Sequence, residues 1–394
     1  MIRTIHVDGF KSIKSQDIPL GRLNCFIGAN GAGKSNVLEA IGILGAAAKG
    51  IVDDEALLRR GVRPGVPRLY KSSFADDVTP PHIHLSAAGN MGETYRVTLL
   101  NPLDRPRPAW QFKTEYLYDG NEEIVSDGVR KPRPDKMPKT NGLAALRLLG
   151  VDEANPAAEL MQNLQQYALY TPNTLALRGM VTDPQPREPV GLSGGLLAEG
   201  FESLRRQVLE DNDGLFDDIV GLIDWVASID VVQTASSLLS PSVPRAKSVL
   251  KFTDRFMRRS RNTLTAYDAS EGALYVLFSA ILCLSPASPR FFAIDNLDQA
   301  LNPRLASRLL SRIGQWLKQS SRQAQMLFTC HNPGVLDGLD LSDDEVRLFT
   351  VDRNSNGHTV VRRVLLTDEL RRMNRDYPLS RLWLMGSLGA LPNV

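Results

Sequence analysis

The sequence predicts an α/β protein: a mixed central sheet flanked by helices, built around one phosphate-binding strand–loop–helix unit. Three observations predict it. An apolar run at 23–27 leads into a glycine-rich loop at 28–33 and then into a stretch with Val37, Leu38, Ile41 and Leu44 at helical spacing. Two further apolar runs, 290–294 and 325–329, read as buried strands, each followed by a residue able to do chemistry. An amphipathic stretch at 304–318 lies between them, which is the strand–helix–strand alternation of a parallel sheet.

Taken in order, residues 2–7 and 16–20 read as strands around a 9–15 turn, ahead of the 23–27 strand. From about 50 to 190 prolines cluster and strand-like runs lie between them (82–87, 93–100, 109–117), so this section is expected to be β-rich with long loops. Within it, 129–140 carries Arg130, Lys131, Arg133, Lys136 and Lys139 among three prolines, which suits a solvated loop or a phosphate-backbone contact. Residues 196–210, 215–228 and 248–259 are expected to be helical, and 271–284 to be an apolar helix. Residues 346–351 and 359–365 read as a closing hairpin.

Composition narrows the function classes. With 43% hydrophobic and 23% charged residues in a 394-residue chain, a large core can form and wholesale disorder is excluded. Lys+Arg 46 against Asp+Glu 44 argues against a uniformly basic nucleic-acid coat. No apolar run reaches the ~20 residues of a membrane span, and the N-terminus lacks an apolar signal core, so a cytoplasmic protein without a membrane partner is expected. Cys25, Cys283 and Cys330 lie far apart in apolar runs and read as small core residues. His82 and His84 would share a strand face but have no third metal ligand nearby.

The chemistry is concentrated in a few motifs. GANGAGKS (28–35) satisfies G-x-x-x-x-G-K-[ST] in its required strand–loop–helix setting. Its backbone N–H groups, from Asn30, Gly31, Ala32 and Gly33 through Asn36, would cradle phosphates at a helix N-terminus. Lys34 would reach the β- and γ-phosphates of ATP, and Ser35 would ligate Mg²⁺. FFAID (291–295) supplies the second metal-holding carboxylate, Asp295, at the end of an apolar strand, followed by Asn296 and Asp298. His331 ends the next apolar strand, where it could sense the γ-phosphate. Two segments compete as a loop capping a second nucleotide: LSGG (192–195) and ASEG (269–272). Such a loop should open the helix leading into the Asp295 strand. That favours Ser270 and Gly272 and leaves the LSGG segment as a loop and helix cap.

The ordered set FKSI (10–13), GANGAGKSN (28–36), ASEG (269–272), FFAIDNLDQALNP (291–303) and TCHNP (329–333) resembles the ABC-type ATPases of the SMC/RecF/OLD branch. It looks most like the short AAA-family ATP-binding proteins of prokaryotic anti-phage and toxin-type operons. The resemblance spans essentially the whole chain. It implies a single ABC-type ATPase domain over 1–394: a P-loop part (1–60), a β-rich, loop-rich insertion (61–190), a helical lobe (191–265), and a part carrying signature, Walker B and histidine switch (266–394). It further implies ATP and Mg²⁺ as cofactors, and a two-fold homodimer, or a higher assembly of dimers, in which Ser270 caps nucleotide held by the partner's Lys34. An effector protein, a nuclease or toxin encoded nearby, is expected as partner, with DNA a further candidate. Three features depart from the pattern. Asn296 stands where relatives have Glu, which implies slow hydrolysis. The Toprim nuclease domain of OLD proteins has no counterpart after His331, and heptads for coiled-coil arms are missing. The alternatives are a RecF-like DNA-repair ATPase and a non-hydrolysing ATP-gated scaffold; a transporter subunit is disfavoured by SEG in place of LSGG. Gln111, Gln162 and Gln165 all remain open as the Q-loop glutamine.

Overall fold

The computed structural model describes residues 1–75, 77–101, 109–128, 137–210, 212–233, 239, 247–320 and 322–389. The chain opens with strands β1 (Ile2–Phe10), β2 (Ile13–Pro19) and β3 (Leu23–Ile27), then helix α1 (Lys34–Lys49). A meander follows: β4 (Ile83–Gly89), β5 (Thr94–Leu100), β6 (Gln111–Tyr118) and β7 (Glu123–Asp127). After helix Pro156–Gln166 come β8 (Ala168–Tyr170), helix Leu197–Leu204, helix Asp213–Leu222, β9 (Val226–Gln233), β10 (Ser248–Asp254) and β11 (Thr263–Thr265). Helix Glu271–Leu284 leads to β12 (Phe291–Ile294), helix Pro303–Gln319 to β13 (Gln325–Thr329), and the chain closes through β14 (Val346–Arg353), β15 (Thr359–Val364) and helices Asp368–Asp376 and Leu379–Leu384.

Three sheets result. The central one has order β15-β14-β3-β13-β12-β8; β14, β3, β13, β12 and β8 run parallel, and β15 is antiparallel to β14. The second is antiparallel, β2-β1-β4-β5-β6-β7, so the meander extends the N-terminal hairpin. The third is the ribbon β11-β10-β9.

Strands β3, β12, β13 and β8 are buried at every position because both faces of the sheet are covered there. Phe26, Ala293, Leu327 and Phe349 point to one core, shared with α1 and the antiparallel sheet. Cys25, Ile27, Phe292, Ile294, Met326 and Phe328 point to the other, shared with helices Glu271–Leu284 and Pro303–Gln319. Helix α1 is buried along nearly its whole length, which its small residues permit: a Cβ on Gly45 would lie 2.4 Å from the Leu164 carbonyl oxygen.

Two helix expectations need correction. Residues 248–259 form β10 and an exposed turn. In 215–228 the helix stops at Leu222, and β9 starts at Val226. The buried positions of β10 (249, 250 and 252) do not alternate, so their spacing mimics a helical face; pairing with β9 and β11 decides the conformation. Of the basic stretch 129–140, residues 129–136 lie outside the described residues. Among the described residues no helix is long and apolar enough to cross a membrane, and no group of three or more His, Cys, Asp or Glu forms a metal cluster.

Candidate nucleotide-binding site

Parallel strands β3, β12 and β13 end on the same edge of the central sheet, and their following loops meet there, the usual place for a ligand in an open α/β sheet. After β3 the loop turns sharply at Gly33 (φ 112°), where a Cβ would lie 2.2 Å from Thr359 Oγ1, so only glycine fits. Lys34 is buried, and its Nζ donates to the carbonyl oxygens of Gly28 (2.7 Å) and Ala29 (3.1 Å). Burial lowers the Lys34 pKa, opposed by the nearby Cys330, Asp295 and Asp298. Ser35 Oγ donates to Asp295 Oδ2 at 2.9 Å, while Asp295 Oδ1 accepts from the Thr329 hydroxyl. A hydroxyl and a carboxylate in mutual contact beside a phosphate-type loop are the hard oxygen donors that Mg²⁺ takes, and a lysine resting on loop carbonyls can exchange them for phosphate oxygens. The residues therefore fit both groups.

Asn296 has a left-handed backbone (φ 55°) and its N–H donates to Thr329 Oγ1 at 2.8 Å. Asp298 is buried; its Oδ2 accepts the backbone N–H of His331 (2.8 Å) and of Asn332, and its Oδ1 has no hydrogen-bond partner. The His331 ring is exposed, yet partial burial and the Lys34 cation lower its pKa, with Asp298 and Asp295 opposing. Residues Gly28, Ala29, Asn30, His331 and Pro333 line a cleft of about 190 Å³ together with Trp383 and Leu384 of the last helix.

Several residues here carry no recognisable motif. Thr359 Oγ1 donates to the Ala32 carbonyl (2.7 Å) and accepts from the Ser12 hydroxyl (2.7 Å), while Asn36 Nδ2 donates to the same Ser12 oxygen (2.6 Å). Arg353 Nε donates to the Gly31 carbonyl at 3.0 Å. Lys11 pairs with the buried Glu39 of α1, which also accepts from Arg63 Nε at 2.6 Å. The only foreshadowing was the FKS run at 10–12; Thr359 and Arg353 come from the far end of the chain.

The two capping candidates differ in geometry. Ser270 is the exposed N-cap of helix Glu271–Leu284, and its hydroxyl caps nothing in that helix. Ser193 and Gly195 instead direct their N–H groups to Asp183 Oδ2 (2.8 and 3.2 Å), so LSGG is wrapped around a carboxylate of its own loop. Among the described residues no hydrogen bond joins Ser270 or Gly272 to the P-loop of the same chain; Gly272 packs beside Leu305. Of the Q-loop candidates, Gln111 begins β6, and Gln162 and Gln165 lie on helix Pro156–Gln166, where Gln165 bonds to the Ala48 carbonyl at the far end of α1.

The fold is that of a P-loop ATPase of ABC type. Comparison with known proteins finds family matches over two parts of the chain. Residues 1–60 match the family described as "AAA ATPase domain", and residues 193–337 match "AAA domain, putative AbiEii toxin, Type IV TA system". The fold is that of SMC head domains. One SMC head, solved bound to the C-terminal winged-helix domain of ScpA, has a TM-score of 0.53 at 14% identity, covering 93% of this chain and 98% of that one. A second, from Pyrococcus furiosus, with an extended coiled coil and bound to the C-terminal domain of ScpA, has 0.52 at 12% identity, covering 95% and 99%. A sequence search of curated proteins finds no match.

Proposed function

We propose that this chain binds ATP with Mg²⁺ in the 28–35 loop, hydrolyses it slowly, closes as a two-fold dimer around it, and through closure gates an effector protein of nuclease or toxin type in prokaryotic anti-phage defence. The observation that carries the reading is the Ser35–Asp295 contact beside Lys34, a metal-holding pair and a phosphate-binding cation in one constellation. The metal ion would neutralise charge on the transferred phosphoryl group. Lys34 holds the phosphates as a point charge, and the α1 N-terminus adds its dipole. Asp298 positions the histidine loop through two backbone N–H groups, so His331, whose pKa partial burial and Lys34 lower, orients the attacking water. The Asn296 amide oxygen can position that water but cannot take its proton, a deficit of about 10²–10⁴ in rate against a carboxylate base.

Ser270 supports closure in trans: an exposed hydroxyl at a helix N-terminus, left unbonded by its own helix, suits a phosphate brought by a second copy. The two SMC heads of this fold were solved with a bound ScpA domain, and one matched family's description names a toxin of a type IV system, which supports a partner protein as the output. The test is light scattering with and without a non-hydrolysable ATP analogue. The mass should double with the analogue in wild type and stay monomeric in Lys34→Ala; association without nucleotide, or unaltered by Lys34→Ala, contradicts the reading.

A further inference from the structure

The β10–β11 turn carries seven consecutive exposed residues, Arg255-Phe-Met-Arg-Arg-Ser-Arg261. Four are arginines. The Phe256 ring is 78% exposed and Met257 43%. The turn is built rather than loose. Asp254 Oδ1 accepts the N–H groups of Phe256 (2.7 Å) and Met257 (2.9 Å), the Arg255 N–H donates to the Trp225 carbonyl (3.0 Å), and Arg255 Nε to the Val226 carbonyl (3.1 Å). Asp254 is thus spent on backbone, and Arg258, Arg259 and Arg261 have no carboxylate partner among the described residues.

We propose that this turn binds a nucleic-acid strand with unpaired bases, its guanidinium groups on successive phosphates and the Phe256 ring stacked on a base. The charge calls for a polyanion. Several exposed guanidinium forks along one turn suit phosphates repeated along a backbone. An exposed ring beside them is the element that a purely electrostatic patch lacks and that single-strand binders use. The chain as a whole is close to charge balance, so this is a local feature, and the inference stands independently of the nucleotide site.

The experiment is fluorescence anisotropy of the full chain with labelled twenty-nucleotide oligo(dT), a duplex of equal length, and polyglutamate as competitor, across a salt series. Oligo(dT) should bind, Phe256→Ala should weaken it about tenfold, and the triple change Arg258→Ala, Arg259→Ala, Arg261→Ala should weaken it further while lowering the salt slope by about 2. Thermal melting of both variants should match wild type, since every altered side chain is exposed. Three results overturn the proposal: no oligo(dT) binding at low salt; binding indifferent to both variants; or polyglutamate competing as well as oligo(dT) with no effect of Phe256→Ala, which marks the turn as a surface for acidic proteins.

Discussion

Asp298 holds His331: its Oδ2 accepts the His331 backbone N–H at 2.8 Å and that of Asn332, tying the turn after β12 to the loop after β13. One oxygen of this carboxylate is therefore occupied in positioning, and the other is buried. Asp298→Ala strands two backbone donors and should destabilise the fold by about 2 kcal/mol, read by urea unfolding. Asp298→Asn keeps an accepting carbonyl and should retain most of the hydrolysis rate. If Asn and Ala variants lose hydrolysis equally with stability intact, Asp298 is the base and the positioning account fails.

Asn296 sits at φ 55°, a conformation asparagine tolerates better than most side chains. Asn296→Glu supplies a proton acceptor at a cost of about 1 kcal/mol in backbone strain. Single-turnover hydrolysis should rise at least tenfold while the unfolding midpoint falls slightly. An unchanged rate would show that the amide is not what slows the reaction.

The phosphate site was legible because its parts are local: GANGAGKS, the FFAID strand and the TCHNP strand each place a chemical residue at a strand end within a few positions. What sequence left hidden is contributed across long separations. Thr359 reaches Ala32, and Arg353 reaches Gly31, through the register of β14 beside β3, which no motif announces. Trp383 joins the cleft because the last helix docks by Ser380 on Asp337, a tertiary event. Strand β10 does not announce itself, because its buried residues 249, 250 and 252 lack a clean period of two.

The pKa of His331 is lowered in the folded state, so protonation opposes folding. Its contribution is fully present above the ordinary histidine value of about 6.5 and is lost as pH falls through the lowered folded value. Wild type should therefore lose stability over that window, and His331→Gln should flatten that part of the profile. Equal slopes in both proteins would show that His331 does not titrate differently on folding.

The LSGG segment has a structural duty at Asp183. Asp183→Ala should lower stability by about 2 kcal/mol, because the Ser193 and Gly195 N–H groups lose their acceptor, yet leave analogue-induced association unchanged. Loss of association in a folded Asp183→Ala protein would return Ser193 to contention as the capping serine.

The most direct measurement of the central claim, a nucleotide shared between two copies, is a mixing experiment. Lys34→Ala should bind no ATP, and Ser270→Arg should bind it but fail to close. Mixed, the two have one intact composite site per pair: Lys34 from the Ser270→Arg chain and Ser270 from the Lys34→Ala chain. The account predicts that mixing restores analogue-induced dimers and about half the wild-type hydrolysis per pair. Two inactive variants that stay monomeric and inactive when mixed, or a Ser270→Arg protein that closes as wild type does, would contradict it.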